Sequence, residues 1–277
     1  SILVKNVDTL STSGWGIFLA QYDNNYNIEW IYEIDGSSFD YRTHLDIDNE
    51  GNLYLSGVFF SSDCAFESDT ILSSTGSGDN FISKFSSNGN LKWVKHIAKG
   101  ESFQQDAVFA IDENQDIISS IRYQDSVIID DHSTDTLLFS GGNSVASVLF
   151  KLDSSGNFLS NNLYNIQSNT RVDIYGIKTY TNSYYISGRF TDSAYFSSKE
   201  IKSTTSTYDI FFLKADLNLN DLWIRRTAGN DNDFPGSLAN DQFGNIYFTG
   251  FFNSTDFQTD STASIQSGQI PNKGNRD

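Results

Sequence analysis

Methionine is absent from this 277-residue chain, cysteine occurs once, and proline twice. The lack of methionine, initiator included, reads as a processed mature chain or an excised segment. A lone cysteine, Cys64, excludes an intrachain disulfide framework. With no His/Asn set spelled around it, Cys64 reads as a buried, inert thiol rather than a nucleophile. No apolar run reaches the roughly 18 residues that a membrane-spanning helix needs. Basic residues are scarce: 18 Lys and Arg stand against 35 Asp and Glu, for a formal net charge of −17. Such a surface repels phosphate backbones and anionic membranes, which argues against nucleic acid as a partner and against direct membrane insertion.

What the chain does have is aromatic residues and turn formers. Phe (22) and Tyr (14) are frequent, and hydrophobic residues make up 38% of the sequence, enough for a core. Mixed with Ser, Asn, Asp and Gly, they spell strands joined by polar turns. The stretches also repeat. "GWGIFLAQYDNNYNIEWIYEI" returns as "GDNFISKFSSNGNLKWVKHI", "SVASVLFKLDSSGNFLSNNLY" and "TYDIFFLKADLNLNDLWIRRT". Gln21, Lys84, Lys151 and Lys214 align, spaced by 63, 67 and 63 residues, and Trp30, Trp93 and Trp223 share a position that the third copy fills with Leu159 or its neighbour.

A second unit, "DIDNEGNLYLSGVFF", returns as "AIDENQDIISSIRY", "KTYTNSYYISGRF" and "ANDQFGNIYFTGFF". Its Gly57, Ser120, Gly188 and Gly250 align at spacings of 63, 68 and 62. Two markers with one period predict a repeat protein. Each unit alternates in period two around a Gly-Asn turn, so each is a hairpin and each period holds about four short strands. The Ser/Thr-rich excursions between units, "SSDCAFESDTILSSTGSGD" and "TDSAYFSSKEIKSTTSTYD", join the second and third strands. "DENQDIISSIRYQDS" lacks the Gly-Asn turn, which predicts a less regular repeat there.

Four antiparallel strands per period, repeated, predict an all-β fold: a β-propeller in one domain over 1–277. Its blades are 35–98, 99–164 and 165–228, with 1–34 and 235–277 combining as the fourth. Strands from opposite ends would then close the ring and remove exposed sheet edges. The rival expectation is a segment of a larger propeller. The recurrent Trp is expected to pack between blades.

The pattern "D-x-F-[IV]-x-K-[FL]-x-x-x-G-x-L-x-W" followed by "D-x-x-G-N-[IL]-Y-[LF]-[ST]-G-x-F-x-S-x-D-F" resembles the SBBP, or beta-propeller repeat, family of bacterial exported proteins. The nearest match is "NDNDFPGSLANDQFGNIYFTGFFNSTDF", and the resemblance covers essentially the whole chain. It implies a secreted or cell-surface location and a propeller used for display or binding, often within a large multidomain protein. The family's motifs mark turns and packing, so no catalytic residue carries over.

No nucleophile, phosphate-loop or metalloprotease motif occurs. His44, His96 and His132 lack metal-ligand spacing, and His44 with Arg42, on an innermost strand, is the catalytic candidate. The innermost stretches "YRTH", "QDAV", "VDIY" and "FPGS" differ, which makes one mouth of a ring chemically uneven. Calcium is the one cofactor the spelling admits, at Asp46, Asp48 and Asn49 of "DIDNEGN"; Asx turns are the rival reading. Trp15, outside the repeated Trp position, is the ligand-binding candidate, suited to stacking on a sugar ring. The expected function is a non-catalytic extracellular scaffold that binds protein or glycan, as in an adhesin or surface assembly. The alternatives are a carbohydrate-active hydrolase or lyase, or a structural subunit that assembles through its terminal strands.

Overall fold

The computed structural model describes residues 10, 12–67, 70–74, 78–99, 105–124, 126–129, 136–138, 145–164, 170–196, 199–203 and 205–259. Among these, every regular element is a strand. The chain opens with a hairpin, β1 (Ile17–Tyr22) and β2 (Ile28–Ile34). The first complete repeat follows as β3 (Asp40–Ile47), β4 (Leu53–Phe59), a short hairpin β5 (Cys64–Glu67) and β6 (Thr70–Leu72), then β7 (Asp79–Phe85) and β8 (Leu91–Lys99). The second has β9 (Gln105–Ile111), β10 (Ile117–Gln124), β11 (Ser126–Ile129), β12 (Thr136–Leu138), β13 (Val145–Leu152) and β14 (Phe158–Tyr164). In the third come β15 (Arg171–Thr179), β16 (Ser183–Thr191), β17 (Ser193–Phe196), β18 (Lys199–Lys202), β19 (Asp209–Asp216) and β20 (Asp221–Ala228). The last hairpin, β21 (Asp233–Asn240) and β22 (Ile246–Phe252), is followed by the short β23 (Gln258–Thr259).

Each complete repeat is a four-stranded antiparallel meander, interrupted after its second strand by the short hairpin that the Ser/Thr-rich excursions encode. Those hairpins do not hang free. β11 of the second repeat pairs with β8 of the first, Ile128 to Lys99 and Ile129 to Ala98. Likewise β23 pairs with β20, and Ala65 of β5 bridges Asp35 at the end of β2. In these three places the excursion caps the last strand before it, satisfying part of an otherwise open ladder, whereas β17 and β18 pair with each other in a two-stranded sheet.

Turn chemistry explains why the strands reverse where they do. Tyr26 (φ 63°), Gly89 (82°), Gly156 (79°) and Leu219 (65°) hold one place in the four outer turns. Gly51 (80°), Gln115 (64°) and Gly244 (85°) hold the matching place in three inner turns. Only some of these are glycine, because an aspartate fastens the turn as well. Asp23, Asp48, Asp112, Asp216 and Asp241 each accept hydrogen bonds from the backbone N–H groups two and four residues on, at 2.8–3.0 Å. An Asx turn of this kind holds a non-glycine residue in the left-handed region. Accordingly the second repeat, expected to be irregular, is regular: β10 pairs with β13 without a break over all eight residues.

The register corrects one alignment. Lys84 faces Tyr54, Lys151 faces Ile118 and Lys214 faces Tyr185. With these in line, Gly57 opposite Phe81 and Gly188 opposite Phe211 match Ile121 opposite Val148, so the counterpart of Gly57 is Ile121 rather than Ser120. The cause is steric. A Cβ on Gly57 would lie 2.7 Å from the Phe81 ring, and one on Gly188 would lie 2.3 Å from the Phe211 ring. Where Val148 replaces the phenylalanine, the room it leaves admits Ile121.

The strands gather into two compact units, one of Ser1–Ala107, Ser126–Leu138 and Ser154–Asn157, the other of Val108–Asp125, Phe139–Asp153 and Phe158–Asp277. In the first, Ile17, Leu19, Ile34, Leu55, Phe59, Cys64, Phe66, Phe81 and Phe85 form a core. Two of the recurrent tryptophans belong here too: Trp30 lies against Gly89, and Trp93 against Gly156, each the glycine of a following outer turn. In the second unit the core runs from Val108 and Ile118 through Leu149, Tyr184, Ile186 and Phe190 to Phe211, Leu213 and Ile224. Each such aromatic or branched side chain taken fully out of water contributes about 1.5–3 kcal/mol before entropy is counted. β1–β2 and β21–β22 each form a two-stranded sheet of their own.

Candidate functional site

The residues singled out from sequence fall in the first unit. Arg42 and His44 lie on the exposed face of β3, where the pairing with β4 bulges between Tyr41 and His44 and Arg42 takes φ 57°. The Arg42 guanidinium carbon sits 5.5 Å from the centre of the Tyr41 ring. Trp15 is 63% exposed and meets Phe39 edge-on at 5.3 Å and Tyr41 at 6.1 Å, while Tyr41 stacks on Phe60 at 5.8 Å. Trp15 and Arg42 thus share one tyrosine as neighbour, and the group is an aromatic platform with a cation on it. The strand partner of His44 is Ser56. His96 lies elsewhere, its Nε2 2.9 Å from Asp79. His132 falls outside the described residues.

The calcium candidates divide. Asp48 is buried, and its oxygens take the N–H groups of Glu50 and Asn52, the Asn52 amide at 2.8 Å and the Tyr54 hydroxyl at 3.3 Å. Lys84 Nζ stands 3.6 Å from the same carboxylate. Asp46 accepts the Ile47 N–H, and Asn49 is exposed at the tip of the turn. Among the described residues no group of three His, Cys, Asp or Glu is placed to hold a metal ion. The Lys84–Asp48 pair recurs in the second unit as Lys151 with Asp112 and Asp116, at 3.4 and 2.9 Å. Lys84 and Lys151 are therefore counter-ions for the aspartate of their own inner turns, whereas Lys214, whose inner turn carries no aspartate, stands 5.2 Å from the centre of the Tyr185 ring.

A different constellation occupies the second unit. Asp173, on β15, is almost wholly buried and meets three guanidinium groups. Arg171, two residues before it, donates its Nε to both carboxylate oxygens at 3.0 and 2.8 Å. Arg189, directly opposite on β16, donates its Nε at 2.8 Å. Arg122, reaching in from β10, brings Nη1 to 3.5 Å. The side chains of Arg122, Arg171 and Arg189 are 16%, 27% and 11% exposed. Aromatic rings wall the group: the Arg189 guanidinium carbon lies 4.1 Å from the Tyr208 ring centre, 5.1 Å from Phe234 and 5.2 Å from Tyr175.

The charges do not balance. Three cations share one anion, in a chain whose overall charge is strongly negative. Burial lowers the pKa of the Arg122 guanidinium, with Arg171 and Arg189 acting the same way and Asp173 opposing. For Arg171 burial also pulls downward, but the charge and hydrogen bonds of Asp173 outweigh it and the net shift is upward. The Tyr175 phenol is raised, chiefly by burial. The hydrogen bonds of Arg171 and Arg189 to Asp173 run through Nε. Guanidinium forks in a low-dielectric setting are strong receptors for planar oxyanions.

Sequence reading came close to this site. It singled out "VDIY" and "FPGS", which supply Asp173, Tyr175 and Phe234, but not the arginines. The signal was present: Arg122 and Arg189 occupy the position that Val58 and Phe251 fill in the other copies, so a cation replaces an apolar residue twice in four repeats. No protein-family model matches the chain and no curated protein matches its sequence, so the reading of this site rests on its own geometry.

Proposed function

We propose that the protein is a non-catalytic β-propeller of the SBBP type, secreted or held at the cell surface, that serves as a scaffold for binding a protein or glycan. The observation that carries the binding reading is the Asp173 cluster. Its one carboxylate has both oxygens engaged by arginines, which suits holding a ligand better than moving protons. Incubating the protein with polysaccharides and peptides, and measuring both retention and product release, tests the reading. Retention without turnover is expected; release of cleaved product overturns it.

Closure into a four-bladed ring is the finer part of the proposal, and it draws on the repeat register. Phe18 holds the position of Phe81 and Phe211 yet is 55% exposed, while Gly250 holds the position of Gly57 and Gly188. Extending the register pairs Gly250 with Phe18 and Tyr247 with Gln21, which gives the half-repeat at each end the complement it lacks. A Gln21→Cys/Tyr247→Cys variant should form a disulfide within one molecule under mild oxidation. Bonds formed only between molecules would favour assembly through terminal strands instead, and no bond would overturn both.

A further inference from the structure

The geometry points to an anion receptor in the second unit: we propose that Arg122, Arg171 and Arg189 bind the carboxylate of an acidic sugar of the hexuronate class. This deepens the binding reading above and rests on it. The first argument is charge. Two guanidinium groups more than the buried carboxylate needs are held together, and charges taken out of water are stable only when paired. Among the described residues, Asp173 is the only carboxylate within 4.0 Å of any of the three. An incoming anion supplies the missing charge.

Shape is the second argument. Arg171 and Arg189 hydrogen-bond Asp173 through Nε, and a guanidinium also carries Nη donors that a carboxylate can match with two parallel bonds. Phosphate and sulfate take the same fork, so it is the surroundings of the charge that favour a sugar acid. The neighbourhood of the charge supplies the third argument. Phe234, which packs on Arg189, also lines an open cleft with Asn232, Phe251, Phe252 and Asn253. Phe234 and Phe251 stack with ring centres 4.8 Å apart. An aromatic wall with amide groups beside it suits the ring and hydroxyls of a pyranose better than a bare alkyl acid. Asp231 holds the amides of Asn232 and Asn253, at 3.3 and 2.5 Å, and so fixes that rim. A negative charge there also favours a ligand whose acid group points to the arginines and away from Asp231.

Titration calorimetry on the whole chain with D-glucuronate, D-glucose and acetate tests this directly. Glucuronate should bind saturably, about tenfold or more tighter than either of the others, and weaken as salt is raised. Arg171→Lys keeps the charge but loses the fork, and should weaken glucuronate about tenfold while melting lower for want of the Nε bonds to Asp173. Asp173→Asn removes the internal competitor, so it should bind glucuronate more tightly even while it melts lower without ligand, a pairing that mere loss of structure does not produce. Glucose binding as well as glucuronate, or affinity indifferent to both variants, overturns the anion site. Equal binding of acetate and glucuronate overturns the sugar assignment. If glucuronate fails while other glycans or proteins are retained, this inference falls and the binding-module reading stands. If a glucuronate-containing polymer is bound and cut, the reverse holds.

Discussion

Two kinds of buried aspartate hold this chain together, and they respond oppositely to acid. Asp48 sits below its ordinary carboxyl value: burial pushes it up, but the Asn52 hydrogen bonds, the Glu50 N–H and the Lys84 charge outweigh that. Its contribution is complete above the ordinary value of 3.8 and is lost as pH falls through the lower folded value. Asp40 and Asp233 are raised, chiefly by burial, although Ser61 and Ser254 hydrogen-bond them. For these two, ionisation in the folded state carries a penalty that is present above the raised value and gone below 3.8. Asp48→Asn is therefore expected to cost about 1–3 kcal/mol near neutral pH and progressively less in acid. Asp40→Asn should instead gain on the parent as pH rises through the acid range. Urea midpoints between pH 3 and 7 check both, and the same sign for the two variants would refute the assignment. A steric prediction belongs at this scale as well. Gly57→Ala should destabilise by about 1–3 kcal/mol, and adding Phe81→Val should recover part of that, since the Ile121–Val148 pair already uses the exchange. A double-mutant cycle with no coupling would count against it.

At the level of strands and turns, most of the architecture was legible in the sequence. Period-two alternation and the spacing of Lys84, Lys151 and Lys214 give the hairpins and their repeat, because a half-buried strand must alternate and a turn must accept positive φ. What was not legible was which residues substitute for glycine. Gln115 and Leu219 take φ 64° and 65° because Asp112 and Asp216 fasten the turns from the side, and a Gly-Asn pattern does not register that. The one-residue slip at Ser120 has a similar origin: the marker glycine is defined by the ring opposite it, and that ring is absent in the second repeat. At the candidate site the inner-strand stretches were visible, whereas Arg122 and Arg189 were hidden inside a motif read as packing. Gln115→Gly should raise stability by about 1 kcal/mol, since the left-handed region costs a side-chain-bearing residue about that much. Thermal unfolding decides it, and no change or a loss would mean that the Asp112 turn already removes the strain.

For the whole molecule, charge dominates. A net −17 on a 31.0 kDa chain means that the folded form works against its own repulsion. Raising sodium chloride from a few millimolar to roughly 0.2 M, where the screening length is below about 10 Å, should raise the melting temperature. A fall on adding salt would mean that attractive pairs such as Lys151–Asp116 outweigh the general repulsion.

The short hairpins that reach back to the preceding repeat give the chain a direction. Because β11 clasps β8 and β23 clasps β20, the first and third repeats are each latched by the one that follows. A force applied from the C-terminal end would therefore open the latches in order, the last first. From the N-terminal end the same force would first meet strands whose latch is still closed. Such a molecule has a weak end and a strong end, and a tether that must yield gradually under load would be anchored accordingly.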